Sequence, residues 1–189
     1  MWCTGRRSIC NSSQRVDPVG SIQLSDDFSH PNPAQWWNGN RNINVFVDND
    51  SWILPYANQL VEKINQGGDN AALYRDYKSK PEAHIAFYLG CIKMTPNEVL
   101  SRHQRNLIPH ESDLPKGRGF SPVFWQILEG EKTIPICLFE AEETPDSGLI
   151  YLKDSFKLEG HELYSEIRAL QGKATLDICL RYLQLSTCP

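Results

Sequence analysis

A doubly wound α/β fold built on a mostly parallel sheet is what this sequence predicts, and three observations carry the prediction. Short runs rich in β-branched and aromatic residues alternate with helix-length amphipathic segments from residue 43 onward. Glycine or proline punctuates the junctions, as at Gly67-Gly68, Pro96 and Gly117/Gly119. The polar residues most capable of chemistry follow strand segments, and sheets of this kind bind ligands outside the carboxyl ends of their strands.

The elements follow in order. Ile43-Asn-Val45-Phe46-Val47 reads as a buried strand, and Ile53 to Ile64 as a helix with Leu60, Val61 and Ile64 at helical spacing, closed by Gly67-Gly68. Ala71 to Tyr74 is a second short strand and His84 to Leu89 a third. Pro96 to His103 reads as a short helix with proline in its first turn, and Asn106 to His110 as a fourth strand. Phe120 to Glu129 reads as a helix in which Phe124, Trp125, Ile127 and Leu128 are expected to pack in the core. Ile134 to Ala141 and Leu149 to Lys153 form a strand pair around a turn at Asp146, and Glu162 to Leu185 a final helix with a weak point at Gly172.

Residues 1–42 are rich in Ser, Asn, Pro, Asp and Gln, with Trp36-Trp37 the main aromatic clump, and read as an irregular or disordered extension before a single domain over 43–189. The chain has 189 residues and 21.6 kDa, enough for one ordinary core. Its first ten residues carry positive charge but lead into a polar stretch, so a secretory signal is not expected, nor is a membrane-spanning segment. A cytosolic protein is the expectation. The net charge is −4 and no Lys/Arg cluster exceeds Arg6-Arg7, which argues against a nucleic-acid partner. Six cysteines show no C-x-x-C spacing, and Cys91, Cys137 and Cys179 sit in apolar stretches as small core residues. No metal site is visible.

The chemistry-bearing stretch runs from Asn106 through His110-Glu-Ser112-Asp-Leu114-Pro115-Lys116-Gly117-Arg118-Gly119, with Pro145-Asp146-Ser147-Gly148 further on. Acyl-type transfer to an amine requires a group to take the amine's proton and donors for the oxyanion. His110 could be the base, or a charged donor to the oxyanion, if Asp146 lies beside it to raise its pKa and fix its ring; taken alone, it reads as a hydrogen-bonded strand-end histidine. Asp146 alone could be an ordinary turn residue, and Asn106 either an oxyanion donor or simply the start of a strand. Gly117 and Gly119 suit positive φ or close approach to a ligand. Lys116 and Arg118 beside them either face a diphosphate or form a solvated basic turn. His103 and His161 are assigned to polar, exposed helical segments and to no role.

At these residues the chain resembles the folate-dependent formyltransferases. His110-Glu-Ser112-Asp-Leu114-Pro115 is similar to the family's His-x-Ser-x-Leu-Pro segment, and Asp146-Ser147-Gly148 to its Asp-x-Gly turn. The resemblance covers residues 43–185 and implies a Rossmann-like core, N10-formyltetrahydrofolate as formyl donor, and His110, Asp146 and Asn106 as catalytic residues. It also implies cofactor contacts at Cys91, Ile92, Lys93, Met94 and Asp146, and substrate contacts at Lys116, Gly117, Arg118 and Gly119. The string from His110 to Pro122, with Trp125 to Gly130, looks most like the sugar N-formyltransferases, so the implied partner is a nucleotide-linked (dTDP, UDP or GDP) amino-deoxy sugar. The family's asparagine usually stands two residues before the histidine, where this chain has Ile108. Glycinamide ribonucleotide formyltransferases carry a Gly-Ser-Asn phosphate loop after the first strand, which Asp48-Asn-Asp-Ser-Trp52 lacks, and methionyl-tRNA formyltransferases add a tRNA-binding domain for which length and basic charge are missing. A missing C-terminal segment, a non-catalytic folate- or nucleotide-binding relative and glycinamide ribonucleotide formylation remain alternatives, and the family's homodimer is left open.

Overall fold

The computed structural model describes residues 41–78 and 82–185; the expected irregular extension, with Trp36-Trp37, lies almost wholly outside them. Six strands form one sheet in the order β2-β1-β3-β4-β5-β6. They are β1 (Asn42–Phe46), β2 (Asn70–Tyr74), β3 (Ala83–Tyr88), β4 (His103–His110), β5 (Thr133–Glu140) and β6 (Ile150–Lys157). The helices are α1 (Leu54–Gln66), α2 (Asn97–Leu100), α3 (Pro122–Leu128) and α4 (Tyr164–Leu185). β2, β1, β3 and β4 run parallel, and β5 and β6 are antiparallel. The mostly parallel α/β core matches the expectation.

β1 is apolar on both faces, as a central parallel strand must be: Ile43, Val45, Phe46 and Val47 are all buried. The fold also takes in the residues just ahead of the expected boundary. Arg41 is buried, pairs with Asp69 and donates to the Leu183 carbonyl at 2.9 Å, so the start of β1 is pinned to the end of α4.

One face of the sheet carries a continuous core in which Val45, Ile85, Phe87, Leu107, Ile136 and Leu138 meet Leu60 and Ile64 of α1 and Leu176, Cys179 and Leu183 of α4. Val123 and Ile127 of α3 extend the same layer over Ile134, Phe156 and Leu158. Gly172 is no weak point. A Cβ there would come within 2.5 Å of the Tyr56 ring, so the glycine lets α4 close on α1. The opposite face bears two smaller clusters, Phe46/Ala86/Tyr88 and Leu114/Cys137/Phe139, bridged by Ile108 and covered by loops and the one-turn α2.

Several boundaries moved for identifiable reasons. α2 is shorter than expected because the chain enters β4 already at His103, which pairs with Ala83. His103 is therefore neither helical nor exposed: it is buried, its Nε2 accepts from the Asn44 amide at 3.0 Å, and desolvation lowers its pKa. α4 starts at Tyr164 because Glu166 takes the Leu163 N–H at 2.8 Å, leaving His161 in the exposed loop before it. The core placement expected for Phe124, Trp125 and Leu128 fails. These side chains are 56%, 59% and 64% exposed, since only the Val123/Ile127 edge of α3 meets the sheet. No described helix is long and apolar enough to cross a membrane.

Candidate active site

The parallel strands reverse their winding between β1 and β3, which are adjacent although β2 comes between them in sequence. The crevice at the carboxyl ends of β1, β3 and β4 is therefore the topological switch point, where such sheets take ligands. It widens toward β4. The β3–β4 register stops at Phe87↔Leu107, so Pro109 and His110 run on past their last partner in β3 while still paired with Leu138 and Cys137 of β5. Pro109 has no N–H to leave unsatisfied there.

His110 stands at that free end, 9% exposed, with the Phe139 ring edge-on at 6.2 Å. Its Nε2 lies 3.1 Å from the Gly117 carbonyl. A carbonyl only accepts, so Nε2 is the donor in this contact and Nδ1 is the ring nitrogen left to exchange a proton. Asp146 does not reach the imidazole. Its Oδ2 instead accepts the Gly119 N–H at 2.8 Å, from a backbone with φ +53°. The loop between the two therefore joins them: Gly117 (φ +75°) turns its carbonyl to the histidine and Gly119 (φ +100°) its amide to the aspartate. Both glycines are required by conformation, and a Cβ on Gly117 would also press within 2.9 Å of Ser112 Cβ. Lys116 and Arg118 project from this loop into solvent.

The loop is anchored from behind. Asp113 pairs with Lys153 at 2.5 Å, and Lys153 also donates to the Leu114 carbonyl at 3.3 Å. Gln126 of α3 donates to the Glu111 carbonyl at 2.8 Å, and Gln171 of α4 to the Glu111 carboxyl at 2.7 Å, where desolvation pushes the carboxyl above its usual range. Sequence reasoning missed this use of Glu111, and equally the buried Ser112, whose Oγ has no partner among the described residues. The signal available was their position inside the motif.

Asn106 is not brought to His110. Four residues of extended chain separate them by about 13 Å. Its Oδ1 accepts from the Tyr88 hydroxyl at 2.9 Å and its Nδ2 donates to the Leu100 carbonyl at 3.0 Å, so the amide ties α2 to the strand ends. The loop after β3 behaves differently from residue to residue. Cys91 turns inward, its Sγ 3.4 Å from the Phe46 carbonyl and its thiol pushed up to about 11 by burial. Ile92, Lys93 and Met94 face outward, with Ile92 60% and Met94 63% exposed.

No family model matches the chain. Curated relatives do. The methionyl-tRNA formyltransferase of Rickettsia canadensis (strain McKiel) is 38% identical over 90 residues, covering 47% of this chain and 30% of that protein. That of Malacoplasma penetrans (strain HF-2) is 30% identical over 105 residues, covering 55% and 32%. The matched part thus spans about a third of these relatives' length, 30% and 32% respectively. Among solved structures, the methionyl-tRNA formyltransferase from Clostridium thermocellum superposes with a TM-score of 0.62 at 21% identity, over 76% of this chain and 64% of that one. The formyltransferase PseJ from Anoxybacillus kamchatkensis, in complex with UDP-4,6-dideoxy-4-formamido-L-AltNAc and tetrahydrofolate, gives 0.56 at 15%, over 77% and 78%. The phosphoribosylglycinamide formyltransferase from Streptococcus pneumoniae TIGR4 gives 0.57 at 11%, over 77% and 98%. At such identities these structures speak for the fold alone. Over about half its length the chain is thus similar in sequence to methionyl-tRNA formyltransferases, and it shares the fold of the solved formyltransferases.

Proposed function

We propose that the protein transfers a formyl group from N10-formyltetrahydrofolate to the amino group of a nucleotide-linked amino-deoxy sugar. The observation that carries the proposal is the convergence of His110 and Asp146 on the two ends of one glycine loop at the open end of β4. The resemblance of those residues to the formyltransferase motifs was already present in the sequence.

The donor supplies the formyl carbon. The residues present suit it: the outward face of Ile92-Lys93-Met94 offers apolar side chains and peptide groups beside the switch-point crevice, fitting a flat heterocycle. His110 takes the proton of the attacking amine at Nδ1, and its Nε2–H, held on the Gly117 carbonyl, fixes the tautomer that makes this possible. Once protonated, the imidazolium stabilises the negative charge on the developing oxyanion and then returns its proton to the donor nitrogen that leaves as its bond to the formyl carbon breaks. Asp146 keeps the loop closed over the site through Gly119. Asn106, committed to Tyr88 and Leu100, is left out of this mechanism. Lys116 and Arg118 flank the loop and would meet the diphosphate of the acceptor.

A second reading, methionyl-tRNA as acceptor, is favoured by the names of the sequence relatives. The acidic balance of this chain, 23 Asp and Glu against 19 Lys and Arg, weighs against gripping a phosphate backbone. The sugar reading draws on the acceptor product held by PseJ.

The test is mass spectrometry of reactions with N10-formyltetrahydrofolate and a panel of dTDP-, UDP- and GDP-linked 3-amino and 4-amino sugars, with methionyl-tRNA and glycinamide ribonucleotide alongside. One formyl group gained by a sugar is the expected result. Formylation of methionyl-tRNA alone would replace the acceptor. No product anywhere, with tetrahydrofolate bound, would leave a folate-binding relative without turnover.

A further inference from the structure

The two loops flanking the switch point are tied together by one carboxylate. Asp48 stands two residues past the end of β1, and its Oδ1 accepts the Ile92 N–H at 3.0 Å while its Oδ2 accepts the Lys93 N–H at 2.9 Å. Asn49 reinforces the link, its Nδ2 donating to Asp48 Oδ1 and to the Gly90 carbonyl, both at 2.8 Å. Four residues, Gly90 to Lys93, are thus fixed from β1 rather than from their own strand.

We propose that Asp48 is a positioning residue of the formyl-donor site: by holding the Ile92 and Lys93 amides it keeps the 90–94 loop raised, so that Ile92 and Met94 face the ligand. The proposal rests on the folate-dependent reading above. Ile92 and Met94 are more than half exposed, and a free loop of this composition would fold such side chains down onto the protein to remove apolar surface from water. Two charge-assisted hydrogen bonds from neighbouring amides oppose that collapse. They also set the polarity that the loop presents. With its amides turned to Asp48, the loop offers a ligand the apolar side chains of Ile92 and Met94, which suits the face of a flat ring. Asp48 itself touches no substrate in this scheme and acts through the loop.

The experiment compares wild type, Asp48→Ala and Asp48→Asn in two readouts: hydrogen exchange at the Ile92 and Lys93 amides, and calorimetric titration with tetrahydrofolate. Asp50→Asn, altering an exposed partner of Arg75, is the control for nearby charge. Asp48→Ala is expected to lose amide protection and to bind tetrahydrofolate about tenfold more weakly, the scale of one lost charge-assisted bond. KM for the donor rises with it while kcat stays within about twofold, a split that general loss of folded protein would not give. Asp48→Asn, which keeps one accepting oxygen, falls between, and Asp50→Asn matches wild type. Tetrahydrofolate binding by wild type and both Asp48 variants with equal affinity overturns the proposal and leaves the folate reading standing. Protected amides in a wild-type protein that does not bind tetrahydrofolate overturn both, while showing that the loop is clamped as described.

Discussion

The two faces of the sheet solve different problems. Toward α1, α3 and α4 the strands present Val45, Ile85, Phe87, Leu107, Ile136 and Leu138, and helices with complementary apolar edges close over them. Toward the other side β3 and β4 present Tyr88, Asn106, Ile108 and His110 under loops and a single helical turn. The covered face holds the fold together; the loosely covered one leaves polar groups at the strand ends within reach of a ligand. Asn106 and His110 share that second face, yet only His110 lies past the end of the β3 pairing, where the sheet opens. Position along the strand, more than residue type, separates a structural amide from a candidate base.

Substitutions on the two faces should separate cleanly. The largest effect is expected from His110→Ala, which should lower kcat by about 10²–10⁴ with an unchanged melting temperature if His110 does acid–base work. Turnover near wild type in single-turnover assays would remove it from the mechanism. On the sealed face, Leu138→Ala deletes a fully buried side chain and should cost about 2–5 kcal/mol in urea unfolding. A cost comparable to that of a surface substitution would mean that the core is not packed as described. Gly172→Ala, which drives a methyl group against the Tyr56 ring, should cost about 1–3 kcal/mol by overpacking, read from the shift in denaturant midpoint.

The smallest effect is a pH dependence on the open face. His103 is buried and neutral, with its pKa lowered from 6.5 by desolvation. The unfolded chain then binds a proton more readily than the folded one, so this contribution to stability is complete above about pH 6.5 and declines as pH falls below it. His103→Gln should flatten that part of the curve between pH 7 and 5. An unaltered slope would place the titration elsewhere.

Much of this was legible in the sequence, and the failures share one cause. The strand runs and α1 could be placed because hydrophobic period and turn residues are local signals. The motif residues His110, Gly117, Gly119 and Asp146 were identified individually, and the structure does bring them together. Their connection could not be read. Asp146 meets the loop rather than the imidazole, because the path of that loop depends on where β5 returns and how Asp113 and Glu111 are anchored. Phe124 and Trp125 carry the composition of a core helix and lie exposed, since only the pose of α3 decides which edge meets the sheet. Gly172 looked like a helix breaker and is a contact point, as only the approach of Tyr56 reveals.

The alternation of elements, the apolar strands of a parallel core and the short list of residues able to do chemistry are written in local pattern, because each depends on neighbours within a few positions. Packing across the whole sheet settles instead that the Asn106 amide is taken up by Tyr88 and Leu100, that Asp48 reaches across forty-odd residues to hold Ile92 and Lys93, and that His103 is buried. Those outcomes depend on strand order and register, where one parallel neighbour more or less converts a site residue into a structural one. Long-range pairing is set by the whole packed sheet, and no local pattern encodes it.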